Sequence, residues 1–326
     1  LHEGGLLATG IIALQTTDEK VLKAIKRDNI KTSSYEKMMT YFNSENIPMA
    51  SDIMIGLPGQ TVDSLQQDLQ FCFDWKVSAN GNYTSMMPNA PMAESSYREA
   101  FEIATDADGL IASTSTFSAA DLHYMKSLYM VYQFHVRLGV MKYYLYFLQL
   151  QYSVPALELL RTWLDAVLAD DGELPLSRRL FHEIIAMDKR SGDWALLSWG
   201  DEAEFLFADL GAYFAEFHAF SARTYGISLT QDEYETLRET QDTVTPRLGR
   251  SYPYRTRLPH DVSAYFDQLK RAASIGDLSE ALQPLKAYGP GELVARAKVK
   301  QRKTVRFAKI DGHSDDWELA SELRFY

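Results

Sequence analysis

An α/β fold that gives way to a mostly helical region is what the chain predicts, on three observations. Apolar runs that stop at glycine or polar residues alternate with helix-length amphipathic stretches over residues 1–115, the mark of β/α units on parallel strands. From 116 to 250 the apolar spacing is helical almost throughout. Residues 251–326 add one more helix among short strands punctuated by glycine. Three domains with these ranges are expected.

The first β/α unit opens with Gly10-Ile11-Ile12-Ala13-Leu14, an apolar strand whose end, Gln15-Thr16-Thr17, is polar. Thr16 with Glu19 makes a capping box, and Asp18 and Glu19 suit the positive helix end. Val21, Leu22 and Ile25 give a helix at 21–26 one apolar stripe. A second helix is expected at 35–46. The next unit is sharper: Asp52-Ile53-Met54-Ile55-Gly56-Leu57-Pro58-Gly59-Gln60-Thr61 reads as a strand buried on both faces that stops at a glycine and hands over to a helix at 62–75. Gly56 and Gly59 let backbone approach a bound group closely, Pro58 fixes the loop, and Thr61 caps the helix. A tight, well-packed connection would have the same sequence. The third strand is placed at 83–87 and ends in Pro88-Asn89-Ala90-Pro91. Helices of the length that right-handed crossovers need lie between the strands.

Beyond this point Ser118 and Asp121 cap a helix carrying Leu122, Met125, Tyr129, Tyr132 and Val136, with Gly139 as its stop. A helix then runs to Leu150, Pro155 starts another that ends near Leu168, and a shorter one covers 180–187. Residues 202–225 form a long helix crowded with Phe205, Phe207, Tyr213, Phe214, Phe217 and Phe220, ended by Gly226; this stripe is core, or in part a cover for a cofactor's apolar edge. Thr230 with Glu233 caps a helix ending before Pro246. A strand at 252–258, a helix at 260–273 and short tail strands complete the chain.

The runs "LQTTDEKVLKAIKR", "DIMIGLPGQT" and "MMPNAPMAESSYREAFEI", in this order, resemble the second half of the radical S-adenosylmethionine (SAM) barrel, and within it the cobalamin-binding branch. The resemblance covers roughly residues 1–120 and implies half of a TIM-type barrel in which these runs are its fourth, fifth and sixth strands. It implies that Gln15 and Thr16 face the SAM ribose, that Ile55, Gly56 and Leu57 line the nucleoside side, that Arg27 reaches the SAM carboxylate, and that the third run, with Met87, closes the adenine pocket. Ordinary roles compete: a helix-end charge for Arg27, a loop-satisfying side chain for Gln15, core filling for Met86 and Met87.

One departure from the family is large. Its four-iron four-sulfur (4Fe–4S) cluster is held by three cysteines in a CxxxCxxC loop, because such clusters demand thiolates. This chain has one cysteine, Cys72, between Phe71 and Phe73 on a helix's apolar face, where it reads as a small hydrophobe. With Leu1 in place of an initiator methionine and the opening strand matching the family's fourth, the expectation is a C-terminal piece whose missing N-terminal half carries the cluster and the cobalamin module. A shortened homologue that has abandoned the chemistry is the other explanation. By either, this polypeptide alone should not cleave SAM.

Composition narrows the classes further. A formal net charge of −11 disfavours a general nucleic-acid binder, since Lys and Arg supply most nonspecific affinity. Seven basic residues between Arg296 and Lys309 are the local exception, read as a solvated edge or as a dock for an acidic substrate or leader peptide. A lone cysteine excludes an internal disulfide and points to a reducing, cytoplasmic setting. The most apolar stretch, 138–150, is short for a membrane span. The seven histidines show no paired metal spacing, His313 among Asp311, Asp315 and Asp316 reads as an acidic turn, and no GxSxG, GxxxxGK[ST] or GxGxxG run occurs.

The resemblance thus implies part of a cobalamin-dependent radical SAM enzyme. The resemblance implies a 5′-deoxyadenosyl radical and methyl transfer to, or rearrangement of, an unactivated carbon of a small-molecule or peptide substrate. Its alternatives are a non-catalytic partner module built on a degenerate half barrel, and an ordinary α/β enzyme acting on another nucleotide.

Overall fold

The computed structural model describes residues 10–27, 32–45, 47–137, 139–169, 172–191, 209–245, 250–251, 253–278, 282–298 and 318–321. The chain divides into two compact units: of the described residues, the first holds those up to Tyr132 together with Asp188–Ser191, and the second holds Gln133–Met187 and those from Asp209 on.

The first unit is α/β, as expected. Strands β1 (Gly10–Gln15), β2 (Met49–Ile55) and β3 (Ser78–Tyr83) form a parallel sheet in the order β1-β2-β3. Helices α1 (Glu19–Ala24) and α2 (Thr32–Ser44) make the first crossover and α3 (Val62–Asp74) the second. Burial alternates along β2 and β3. Ile53, Ile55, Ala79 and Tyr83 are buried on one face, while Asp52, Met54, Asn80 and Asn82 are half-buried on the other. Edge strand β1 leaves Ile11 66% exposed.

Two expectations about this unit are corrected. The third strand lies at Ser78–Tyr83, not at 83–87. Its sequence is poor in strand formers, so propensity hid it. It is held extended by pairing with β2 from Ala50↔Ser78 to Ile55↔Tyr83 and by Tyr129, whose buried ring fills the space above Gly81. The run after Tyr83 leaves the sheet, Ser85 bridging Leu110. The cap of α1 is Asp18, whose Oδ1 accepts from Lys20 N and Val21 N, not a Thr16–Glu19 box; Thr16 Oγ1 instead accepts from Asp18 N at 3.1 Å. The Thr61 cap of α3 forms as expected, with Ser64 as its reciprocal partner. The unit closes with α4 (Ser95–Ala100), β4 (Ala104–Thr105), β5 (Ile111–Ser113) and α5 (Ala119–Tyr132), the last capped by reciprocal Ser118–Asp121 bonds.

The second unit begins with a π-helical turn at Gln133–Arg137, followed by α6 (Lys142–Tyr152), α7 (Ala156–Ala169), α8 (Pro175–Ser191), α9 (Leu210–Tyr225) and α10 (Gln231–Val244); α8 has 17 residues, not the short helix expected at 180–187. Gly139 and Gly226 have the positive φ expected of helix stops, and the Thr230–Glu233 box caps α10. Gln241 takes the place of a cap for α6: Oε1 accepts from Tyr143 N and Tyr144 N at 2.7 and 3.1 Å, and Nε2 donates to Gly139 O and Val140 O. Tyr213, Phe214, Phe217 and Phe220 are buried, with the buried His135 ring stacked on Phe217 at 5.5 Å, so this part of the aromatic stripe is core. Phe205 and Phe207 lie outside the described residues. An antiparallel sheet of β6 (Tyr254–Leu258), β7 (Gly291–Lys298) and β8 (Glu318–Ser321), with α11 (Val262–Arg271), ends the unit. The basic run beyond Lys298 and the acidic turn at His313 also fall outside the described residues. Among the described residues, no helix is long and apolar enough to cross a membrane, and no three His, Cys, Asp or Glu side chains are grouped to hold a metal ion.

Candidate functional site

The C-terminal ends of β1, β2 and β3 are neighbours running the same way, so the segments that leave the three strands gather along one edge of the sheet. Ligands of open α/β sheets bind at such edges. At the end of β1, Gln15 has φ of 62° and Thr16 N donates to Leu14 O at 2.8 Å, which makes a γ-turn with a left-handed centre. A non-glycine residue held there is strained, and such strain gathers at functional positions. Among the described residues the half-buried Gln15 carboxamide makes no hydrogen bond. Thr16 is buried beside it. Thr17 is tied to α3, its N and Oγ1 both donating to Asp68 Oδ1 at 2.5 and 2.6 Å.

At the end of β2, Ile55 and Leu57 are buried on either side of Gly56. Here the structure corrects the expected reason for the glycines. Gly56 and Gly59 have φ of 90° and 89°, a region other residues avoid. A Cβ on Gly59 would lie 3.3 Å from Ala24 Cβ, and one on Gly56 3.3 Å from Leu122 Cδ1. Their small size serves turn geometry and packing against protein. Gln60, wholly buried, organises the turn: Oε1 accepts from Gly56 N at 2.7 Å and Leu57 N at 3.3 Å, and Nε2 donates to Met54 O at 3.0 Å. Thr84, just past β3, closes the edge by donating from N and Oγ1 to Ile55 O at 2.9 and 3.0 Å.

Arg27 and Met87 lie further from this arrangement. The Arg27 guanidinium donates to Ala13 O on β1 at 3.2 Å. Met87 is four residues beyond β3 and 63% exposed, so it is not core filling.

Sequence reasoning missed Gln60, Asp68 and the polar row Asp52, Asn80, Asn82. Asp68 did carry a signal: a carboxylate interrupts the apolar stripe Leu65, Leu69, Cys72 of α3. Burial raises its pKa from the ordinary 3.8 to about 6, aided by the charge of Asp18 and opposed by hydrogen bonds from Thr17 and Thr16. The neighbouring Cys72 is 1% exposed, and burial pushes its thiol pKa up. A single inert thiol does not fit an iron–sulfur cluster, so the residues present do not supply one.

No protein-family model matches the chain. Over 98 residues, 28% of this chain and 14% of the relative, it is 30% identical to the cobalamin-dependent radical SAM methyltransferase TokK of Streptomyces tokunonensis. Over the same length and shares it is 29% identical to the 2-(S-pantetheinyl)-carbapenam-3-carboxylate methyltransferase of Streptantibioticus cattleyicolor. The chain thus matches 14% of the length of these curated relatives, a distant likeness.

Proposed function

We propose that the chain is part of a cobalamin-dependent radical SAM methyltransferase, and that the edge formed by the ends of β1, β2 and β3 is the nucleoside side of its SAM site. The observation that carries this reading is the coincidence of two facts. The first two family-like runs span the C-terminal ends of the adjacent parallel strands β1 and β2 and the third begins three residues past the end of β3, and the relatives of similar sequence include a cobalamin-dependent radical SAM methyltransferase. In this reading the sheet is part of a barrel. Gln15 and Thr16 meet the ribose, Ile55, Gly56 and Leu57 line the nucleoside, Met87 flanks the adenine, and Arg27 turns its remaining N–H donors to the SAM carboxylate.

SAM, when bound, supplies the adenosyl and methyl groups of the reaction. The chain's own part is to bind and orient it. Gln60 holds the Gly56–Leu57 amides in place, and the buried Ile55 and Leu57 keep water from that side. The cluster is held by protein outside these residues, because the one cysteine is buried and unsuited. The acceptor is an unactivated carbon of a small molecule or peptide, methylated or rearranged. A second reading, a partner module without catalysis, draws support from the same single cysteine.

Isothermal titration of the chain with SAM tests the assignment. The wild type should bind, and Gln15→Ala and Arg27→Ala should each weaken binding about tenfold or more, the loss of one or two good contacts. Unchanged affinity in both variants would sink the site assignment. Tighter binding of another nucleotide by the wild type would favour an ordinary nucleotide-acting enzyme.

A further inference from the structure

We propose that Asp68 is a positioning residue for the SAM edge: it holds the strained turn after β1 in the one shape that aims Gln15 and Thr16 along that edge. The proposal rests on the SAM reading and deepens it.

Asp68 sits on α3, 51 residues along the chain from Thr17, and is 0% exposed. Burying a carboxyl group in an apolar helix face costs free energy unless its oxygens are bonded, so an apolar residue would pack there at lower cost. Only Oδ1 is used. It accepts both the amide and the hydroxyl of Thr17, while Oδ2 is buried without a partner. A group chosen for α3 packing alone would not leave one oxygen orphaned and commit the other to a neighbouring loop.

The loop it grips needs holding. Gln15 is left-handed without being glycine, and a turn of this kind persists only when its surroundings over-determine it. Upstream, Ser51 Oγ donates to Ile12 O at 2.8 Å and accepts from Leu14 N at 3.4 Å. Downstream, the two bonds to Asp68 anchor Thr17. The strained residue lies between two side-chain anchors, one from β2 and one from α3. Asp68 acts on the proposed ligand edge through Thr17 and through the neighbouring Thr16 hydroxyl, which also lowers its pKa.

The test uses the full chain with Asp68→Ala, Asp68→Asn and Thr17→Val. SAM affinity is measured by titration, folding by thermal melting, and the exchange of the Thr16 and Thr17 amides by hydrogen–deuterium exchange. Asn keeps an oxygen for both Thr17 donors and a neutral group in place of Oδ2. Asp68→Ala should therefore weaken SAM binding about tenfold and speed exchange of the Thr17 amide, Asp68→Asn should stay within about threefold of wild type, and Thr17→Val should fall between them. A folded Asp68→Ala that binds SAM as the wild type does, or an Asp68→Asn as defective as Asp68→Ala, would overturn the proposal. If Asp68→Ala does not fold, Thr17→Val decides, since it removes one anchor bond and leaves the carboxyl buried; wild-type affinity in that variant counts against the proposal. If the wild type itself fails to bind SAM, the functional reading is what fails. The Thr17 amide then decides alone: protection lost in Asp68→Ala and kept in Asp68→Asn upholds the anchoring, and equal protection in all variants refutes it.

Discussion

Gln60 shows how much of the site rests on single side chains. Its carboxamide is the hydrogen-bond partner of Gly56 N, Leu57 N and Met54 O, all at the end of β2. Removing it strands buried backbone groups, and each costs about 1–3 kcal/mol when unpaired. Gln60→Ala should lower folding stability by on the order of 2–4 kcal/mol in urea titrations; an unchanged urea midpoint would mean that these bonds are not the important ones. The residue was invisible in the sequence as a site former. A polar residue after Pro58-Gly59 looks like a loop residue until the turn folds it back beneath its own strand. Gln15 was legible by contrast, because a polar residue ending an apolar strand already marks a rim, though its left-handed turn was not.

At the scale of elements, strand β3 is the instructive case. Its sequence, Ser-Ala-Asn-Gly-Asn-Tyr, has little strand propensity, and its place in the sheet is decided by contact with β2 and with Tyr129. A Cβ at Gly81 would collide with three atoms of the Tyr129 ring, and the Tyr129 hydroxyl accepts from Gly81 N. Gly81→Ala should accordingly destabilise the first unit by about 1–3 kcal/mol through overpacking, and shortening the partner with Tyr129→Leu should recover part of that loss. A Gly81→Ala protein with unchanged urea midpoint would show that the ring does not hold the strand. Helix starts are more local: Thr61, Ser118 and Thr230 start α3, α5 and α10 where capping chemistry places them, because a cap is satisfied within four residues of chain.

Stability as a function of pH belongs to the whole molecule, and Asp68 shapes it. Its native pKa of about 6 lies above the ordinary 3.8, so the native state binds a proton more tightly than the unfolded chain does. The group's contribution is most favourable below the ordinary aspartate range, and it is lost as pH rises from about 4 through about 6. Between those values the wild type should lose on the order of 2–3 kcal/mol relative to Asp68→Asn. Urea titrations at several pH values check this, and parallel curves for the two proteins would refute it. What the sequence determined unaided was whatever is local: the α/β opening, the capping-box starts of α3, α5 and α10, the strand-end polar residues, and the unsuitability of one cysteine for a cluster. Tertiary structure alone decided where β3 lies, that Asp18 rather than Thr16 caps α1, that Gly59 is small for the sake of Ala24, and that Asp68 grips Thr17 from 51 residues away. The physical reason is range. Caps and periodicity are satisfied by neighbours in the chain, whereas packing against a ring or burial of a carboxyl is settled by groups that only folding brings together.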